Sequence, residues 1–391
     1  MHRTTRRRRR TLAVAAVLAV VGLGCTACLP RDVGILASAE FDGRRSGEPG
    51  GIKARDWIVG QLRSISTGAN TSSTGAGSYL QRFGTRANVV AVIRGTHPDG
   101  RYVMVGAHYD HLGHSCRTAV PSDTLCNGAT DNAAGVATVL QLARRLHENP
   151  ARRTVVVVLW DGEEEQDLGS NYYVAHPLLP LATAITYVNL DILGANLTPG
   201  LRTTTFAVGP ETGGTRLRQA VDAADATTPL DVLSLSVVFG EGRSDHAPFV
   251  KAKVPTVFFG DSSGGCYHTA QDDVDVVDFG KLREQAELVI SLTRSLARST
   301  KPPIFDASAP VTSYADVVEF ELVVDRAWPD RTLFSTADQA TFATSRDTVH
   351  RIVDDGAEAF GTDDVGAFLS SAQKSASLLS HLACDGFLAD S

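Results

Sequence analysis

Between residues 88 and 260 the chain alternates short aliphatic runs with longer stretches whose apolar positions recur at helical spacing. Asn88 to Arg94 (NVVAVIR) and Tyr102 to Ala107 (YVMVGA) are β-branched runs that read as strands, as do Tyr187 to Asp191 and Val254 to Phe259. Thr154 to Trp160 (TVVVVLW) is apolar throughout, the pattern of a strand buried on both faces. Between them, Asn132 to Leu146 places Ala133, Val136, Leu140, Ala143 and Leu146 on one helical face, and Phe279 to Leu296 is a second amphipathic helix. Strands alternating with helices predict an α/β fold, here a three-layer α/β/α arrangement around a central mixed, mostly parallel sheet. Residues 37–66 read as a helix-rich entry segment and 67–78, rich in Gly, Ser, Thr and Asn, as a loop. At Lys301-Pro302-Pro303 the pattern changes. Helical segments at 314–328, 336–355 and 363–384 follow without a convincing strand, so 33–300 is expected to form the main domain and 301–391 an α-helical C-terminal extension.

The first 27 residues stand apart. Arg6 to Arg10 form a basic block, and the apolar run Leu12 to Leu23 follows, too short for a comfortable membrane span. This is the pattern of an export signal, residues 1–27, with cleavage after Ala27. Cys25 or Cys28 could instead carry a lipid, which leaves a freely secreted and a lipid-anchored protein as alternatives, both on the outer side of the cell membrane. The six arginines of this segment mask the acidity of the rest. The whole chain is at −7, and without them the remainder is at −13. Such a balance speaks against nucleic acid as a partner, since that binding is dominated by phosphate neutralisation. Export would also favour disulfides. Cys116 and Cys126, ten apart in a loop-like stretch, suggest a local bridge, which leaves Cys266 for Cys384 and would tie the C-terminal region to the main body.

Candidate chemistry sits where strands end, as open α/β sheets require. Gly106-Ala107-His108-Tyr109-Asp110 closes one strand, Asp131 precedes a helix, Gly162-Glu163-Glu164 follows TVVVVLW, Asn189-Leu190-Asp191 closes another strand, and Tyr267-His268 follows the 254–259 strand. Singly, each has a plain structural reading: Asp131 as a helix N-cap, Gly-Glu-Glu as a solvated loop. Together, two histidines and three carboxylates with a further glutamate beside them suit two zinc ions, one carboxylate bridging both. A cation pair of this kind activates a bridging water and polarises a carbonyl. His111 and His114 read as rim or surface residues, and His147 and His176 as surface.

The segments FDGRRSGEPG (41–50), GAHYDH (106–111), GATDNAAGVA (128–137), WDGEEEQDLGS (160–170), VNLDILG (188–194), GRSDHAPF (242–249) and YHTAQDD (267–273) occur in an order that resembles the co-catalytic dizinc aminopeptidases, a family that also contains glutamate carboxypeptidases and glutaminyl cyclases. The resemblance covers about residues 37–300. It implies two Zn²⁺ per chain, with His108 and Asp191 on the first, Glu164 and His268 on the second, and Asp131 bridging. It further implies Glu163 as general base, Asp110 holding His108 through its other ring nitrogen, Tyr267 donating to a developing oxyanion, and Arg243 contacting substrate. Asp245 and His246 are as readily structural. The family usually reads Gly-Glu-Glu-x-Gly-Leu; here Gln166 and Asp167 replace the Gly-Leu pair, and a third acid, Glu165, leaves a one-residue shift in the ligand open.

The expectation is therefore an exported metallo-aminopeptidase acting on peptide or protein N-termini. A glutaminyl-peptide cyclotransferase, or a carboxypeptidase or dipeptidase, would use the same ligand set, although cyclases usually carry Trp where this chain has Tyr267. A degenerate, non-enzymatic binding module would be signalled by missing ligands, and none is missing.

Overall fold

A computed structural model describes residues 28–118 and 122–388. The export-signal segment, 1–27, lies outside the described residues, and Cys28 opens the first described helix. Nine strands form one sheet: β1 (Thr67–Gly68), β2 (Leu80–Phe83), β3 (Arg86–Ile93), β4 (Tyr102–His108), β5 (Thr154–Trp160), β6 (Ala184–Leu190), β7 (Thr204–Val208), β8 (Asp231–Leu235) and β9 (Thr256–Gly260). The spatial order is β1-β3-β5-β4-β6-β9-β7-β8, with β2 paired to β3. The centre, β5-β4-β6-β9, is parallel, and β3 and β7 join it antiparallel from either side. All four central strands therefore end at the same edge of the sheet.

The helices are α1 (Cys28–Leu36), α2 (Pro49–Leu62), α3 (Ala134–Glu148), α4 (Leu168–Ala175), α5 (Gly214–Asp225), α6 (His246–Lys251), α7 (Phe279–Arg298), α8 (Tyr314–Ala327), α9 (Thr336–Asp355) and α10 (Thr362–Leu379). Strand alternation sorts them into layers. Val103, Val105 and Ala107 of β4 and Val155, Val157 and Leu159 of β5 face a core shared with α1, α2, α3, α5 and α7. Met104, Val156, Val158 and Trp160 point the other way, into a cluster with Tyr173 of α4 and Phe249 of α6. The same second face is covered farther along by the C-terminal helices. Phe206 and Val208 of β7 and Leu233 and Leu235 of β8 pack with Val317, Phe320, Phe342, Val349 and Phe368. The C-terminal helices thus supply part of the second helical layer.

Strands β1, β2, β7 and β8 were not anticipated, and β1 lies within the 67–78 stretch expected to be a loop. TTFAV and DVLSL are short and carry Thr204, Thr205, Asp231 and Ser234 without a two-residue period, and Thr205 and Ser234 are placed in a sheet only by pairing. Both anticipated disulfides are present, Cys116–Cys126 and Cys266–Cys384. No helix among the described residues is long and apolar enough to cross a membrane.

Candidate metal centre

Four strand ends and one helix approach deliver the polar side chains. His108 is the last residue of β4, Asp191 follows β6, Glu163 and Glu164 stand in the turn after β5, His268 lies in the loop after β9, and Asp131 lies just before α3. Asp131 has extended rather than helical backbone (φ −116°, ψ 89°) and caps nothing; its peptide bond to Asn132 is cis. Its own N–H instead donates to Asp272 at 3.0 Å, and the same carboxylate takes the Thr130 N–H and hydroxyl.

The two oxygens of Asp131 face different imidazoles. Oδ1 is 3.3 Å from His108 Nε2, and Oδ2 is 3.3 Å from His268 Nε2. His108 Nε2 also lies 3.2 Å from Asp191 Oδ1, and His268 Nε2 lies 3.1 Å from Glu164 Oε2. Two triads, His108/Asp131/Asp191 and His268/Asp131/Glu164, therefore share one carboxylate. Donors bound at about 2.0–2.2 Å around a tetrahedral zinc stand roughly 3.3 Å apart, so these spacings fit that ion. The residue types fit as well, since imidazole and carboxylate are borderline-to-hard donors suited to it.

The electrostatics point the same way. Burial opposes charge on His108, but Glu163, Asp191 and Asp131 outweigh it and hold its pKa well above the usual histidine value. Burial likewise opposes charge on His268, yet Asp131 and Glu164 push its pKa up to about 10. Carboxylates in excess of imidazoles, in a buried place, create a demand for positive charge that cations meet. Burial, reinforced by Asp191, Asp245 and Glu164, raises the Glu163 carboxyl well above its ordinary range against the opposing pull of His108. Its Oε2 lies 3.9 Å from His108 Nε2, and its side chain is 11% exposed, so it borders the triads while retaining access to solvent.

The third glutamate is accounted for: Glu165 pairs with Arg86, away from the imidazoles. Glu164 is the one that faces them. The departure Gln166-Asp167 is accommodated by two left-handed residues (φ 70° and 55°).

Three expectations are refined. His111 is no rim residue; it is buried, because its main-chain N–H is held by the Arg44 carbonyl at 3.2 Å, which turns the ring inward beneath the site. Its Nδ1 meets Glu164 Oε1 at 2.7 Å. Asp110 reaches His108 Nδ1 mainly through its main-chain carbonyl, at 3.1 Å, with the carboxylate at 3.8 Å, because that carboxylate is drawn toward the Glu163 N–H at 3.1 Å. Arg243 stands at the surface, 3.4 Å from Glu241 and beside the Tyr267 hydroxyl. Tyr267 stacks on His268 with ring centroids 3.8 Å apart. Burial, then the charges of Asp131, Glu164 and Asp191, keep its phenol protonated far above the usual tyrosine range, so it is a donor at any working pH. His114, His147 and His176 are exposed, as anticipated.

Sequence reasoning missed the residues that hold the ligands still. Trp160 Nε1 donates to Tyr187, Tyr187 to Asn189, Asn189 to Ser244, and Ser244 to Asp191 Oδ2, each at 2.7–2.8 Å. Arg44, fully buried, donates to the carbonyls of Leu36, Tyr109, Asn127 and Gly128, clamping the chain on both sides of the site. The signal for this chain of bonds was polar Asn189 inside an apolar strand. For Arg44 there was only its place in the FDGRR segment.

Against known proteins, the family model described as Peptidase family M28 matches residues 88–293. The aminopeptidase YwaD of Bacillus subtilis is 28% identical over 214 residues, 53% of this chain and 43% of that protein. A protein named "Probable zinc metalloprotease" from Leptosphaeria maculans is 28% identical over 257 residues, 56% of this chain and 58% of that one. The chain thus spans about half the length of these curated relatives. Among solved structures, the LapA aminopeptidase of Legionella pneumophila superposes with a TM-score of 0.57 at 18% identity, over 71% of this chain and 73% of that one. The glutaminyl cyclase of Porphyromonas gingivalis does so with 0.54 at 20% identity, over 69% and 98%. At such identities the likeness is one of fold.

Proposed function

Because this chain belongs to peptidase family M28, we propose that it is an exported, zinc-dependent aminopeptidase that removes N-terminal residues from peptides. The observation that carries the reading is the shared carboxylate: Asp131 offers one oxygen to each of two His/carboxylate pairs, with Glu163 alongside. His108 and Asp191 would hold one zinc, His268 and Glu164 the other. Such a pair, when bound, polarises the scissile carbonyl and acidifies an attacking water.

The chain's own residues do the rest. Glu163, whose carboxylate is not committed to an imidazole at hydrogen-bond distance, takes the proton of the attacking water and delivers it to the leaving amine. The phenol of Tyr267 donates to the oxyanion that develops. Ser244 fixes Asp191, and the Asp110 carbonyl fixes the ring of His108, so neither ligand has to reorient during turnover. Export is supported by the basic-then-apolar N-terminus and by the two disulfides. Whether the protein is released or tethered through a lipidated cysteine is decided by detergent partitioning of the native protein.

Purified protein should hydrolyse aminoacyl chromogenic substrates with a free amine and spare their N-acetylated forms, should contain about two zinc per chain, and should lose activity on exhaustive chelation. Equal cleavage of blocked and free substrates would overturn the aminopeptidase assignment. Release of ammonia from an N-terminal Gln peptide with the chain left intact would replace it with a cyclotransferase.

A further inference from the structure

His111 plays no part in the scheme above, yet its side chain is wholly buried against it. The ring is wedged beside Gly128, a left-handed residue (φ +55°) where a Cβ would stand 2.5 Å from His111 Cδ2. Its centroid lies 5.9 Å from that of His268, edge to face. Nδ1 is 2.7 Å from Glu164 Oε1 and 4.0 Å from Asp131 Oδ2, while Nε2 is buried with no hydrogen-bond partner among the described residues.

These facts fix the ring's role. A histidine bound to a cation through Nδ1 would carry its proton on Nε2, and metal-bound histidines almost always donate that second N–H. Here such an N–H would be orphaned in the interior, a costlier defect than an acceptor lone pair left bare. The proton therefore belongs on Nδ1, which makes His111 a donor to Glu164. The distance agrees: 2.7 Å is a hydrogen bond to a charged acceptor, shorter than the roughly 3.3 Å expected between two donors on one zinc.

Resting on the two-cation reading, we propose that His111 is a positioning residue that pins Oε1 of Glu164, so that only Oε2, 3.1 Å from His268 Nε2, is presented to the second cation. A glutamate free on both oxygens can grip a cation with two; one held in this way offers a single oxygen and leaves room for a substrate atom.

The test uses the full chain, stripped of metal and titrated with Zn²⁺ against a chromophoric chelator. Native protein is compared with His111→Phe, which keeps the ring's bulk, and His111→Asn, which keeps an N–H near the position of Nδ1. The first cation should bind all three alike. The second should bind His111→Phe about 10- to 100-fold more weakly, and His111→Asn should recover to within about threefold of native. A Phe variant with native affinity at both sites, or an Asn variant as weak as Phe, overturns the proposal. Should the Phe variant fail to fold, nitrogen NMR of the zinc-loaded native protein decides: a protonated His111 Nδ1 supports the proposal, and an unprotonated, metal-coupled Nδ1 overturns it. Native protein that binds fewer than two cations overturns instead the reading beneath it.

Discussion

Asp131 is useful because of where its two oxygens point, and Glu163 because none of its oxygens is taken at hydrogen-bond distance by an imidazole. Glu163→Gln keeps the volume and removes the proposed base. It should lower kcat by about 10²- to 10⁴-fold while metal content, measured by atomic absorption, stays unchanged. His246 gives a prediction on stability. It is buried, stacked on Phe258, and burial alone pulls its pKa down to about 4. The folded chain therefore resists a proton that the unfolded chain accepts near pH 6.5. Its contribution is intact above pH 6.5 and is lost as pH falls toward 4. Between pH 7 and 5 the native protein should lose about 2 kcal/mol more than His246→Leu in urea unfolding. The ligand candidates were legible as residues because glycine-flanked acids and histidines at strand ends have few other uses. His111, Ser244, Asp272 and Arg44 were not, because what they do is accept or donate hydrogen bonds across a fold, and nothing in a linear string says which neighbours will arrive.

At the level of elements, the central strands were readable from composition, since a strand covered on both faces is predominantly apolar. Strands β7 and β8 were not, for the opposite reason: Thr204, Thr205 and Ser234 interrupt the apolar runs without a periodic signal, and Thr204 and Thr205 meet their partners, Arg326, Gln285 and Gly260, only across the fold. The loop after β9 is the element on which the site most depends. It carries Tyr267 and His268, the latter with left-handed backbone (φ 56°), and it is tied at Cys266 to Cys384. Cys384→Ser should lower stability by about 2–4 kcal/mol in denaturant titration. It should also weaken the second cation's binding more than the first, because only His268 sits beside the freed cysteine.

For the molecule as a whole, α8, α9 and α10 were recognised as helices but their place was not. It is set by a face of β7 and β8 that the sequence did not reveal. Phe206, Val208, Leu233 and Leu235 are covered by these helices. A chain ending at residue 300 should therefore expose that face and be recovered largely as aggregate, measured by size-exclusion chromatography against the full chain.

The bond between Cys266 and Cys384 has one more effect. It closes a covalent ring of the chain, and the ring contains the irregular connection of residues 299–313, where Ile304 and Val311 are open to solvent. Such a stretch is the natural target of a foreign protease. A nick there would break the backbone yet release no fragment, so a clipped molecule would still run as one species without reductant and would keep the loop of Tyr267 and His268 anchored.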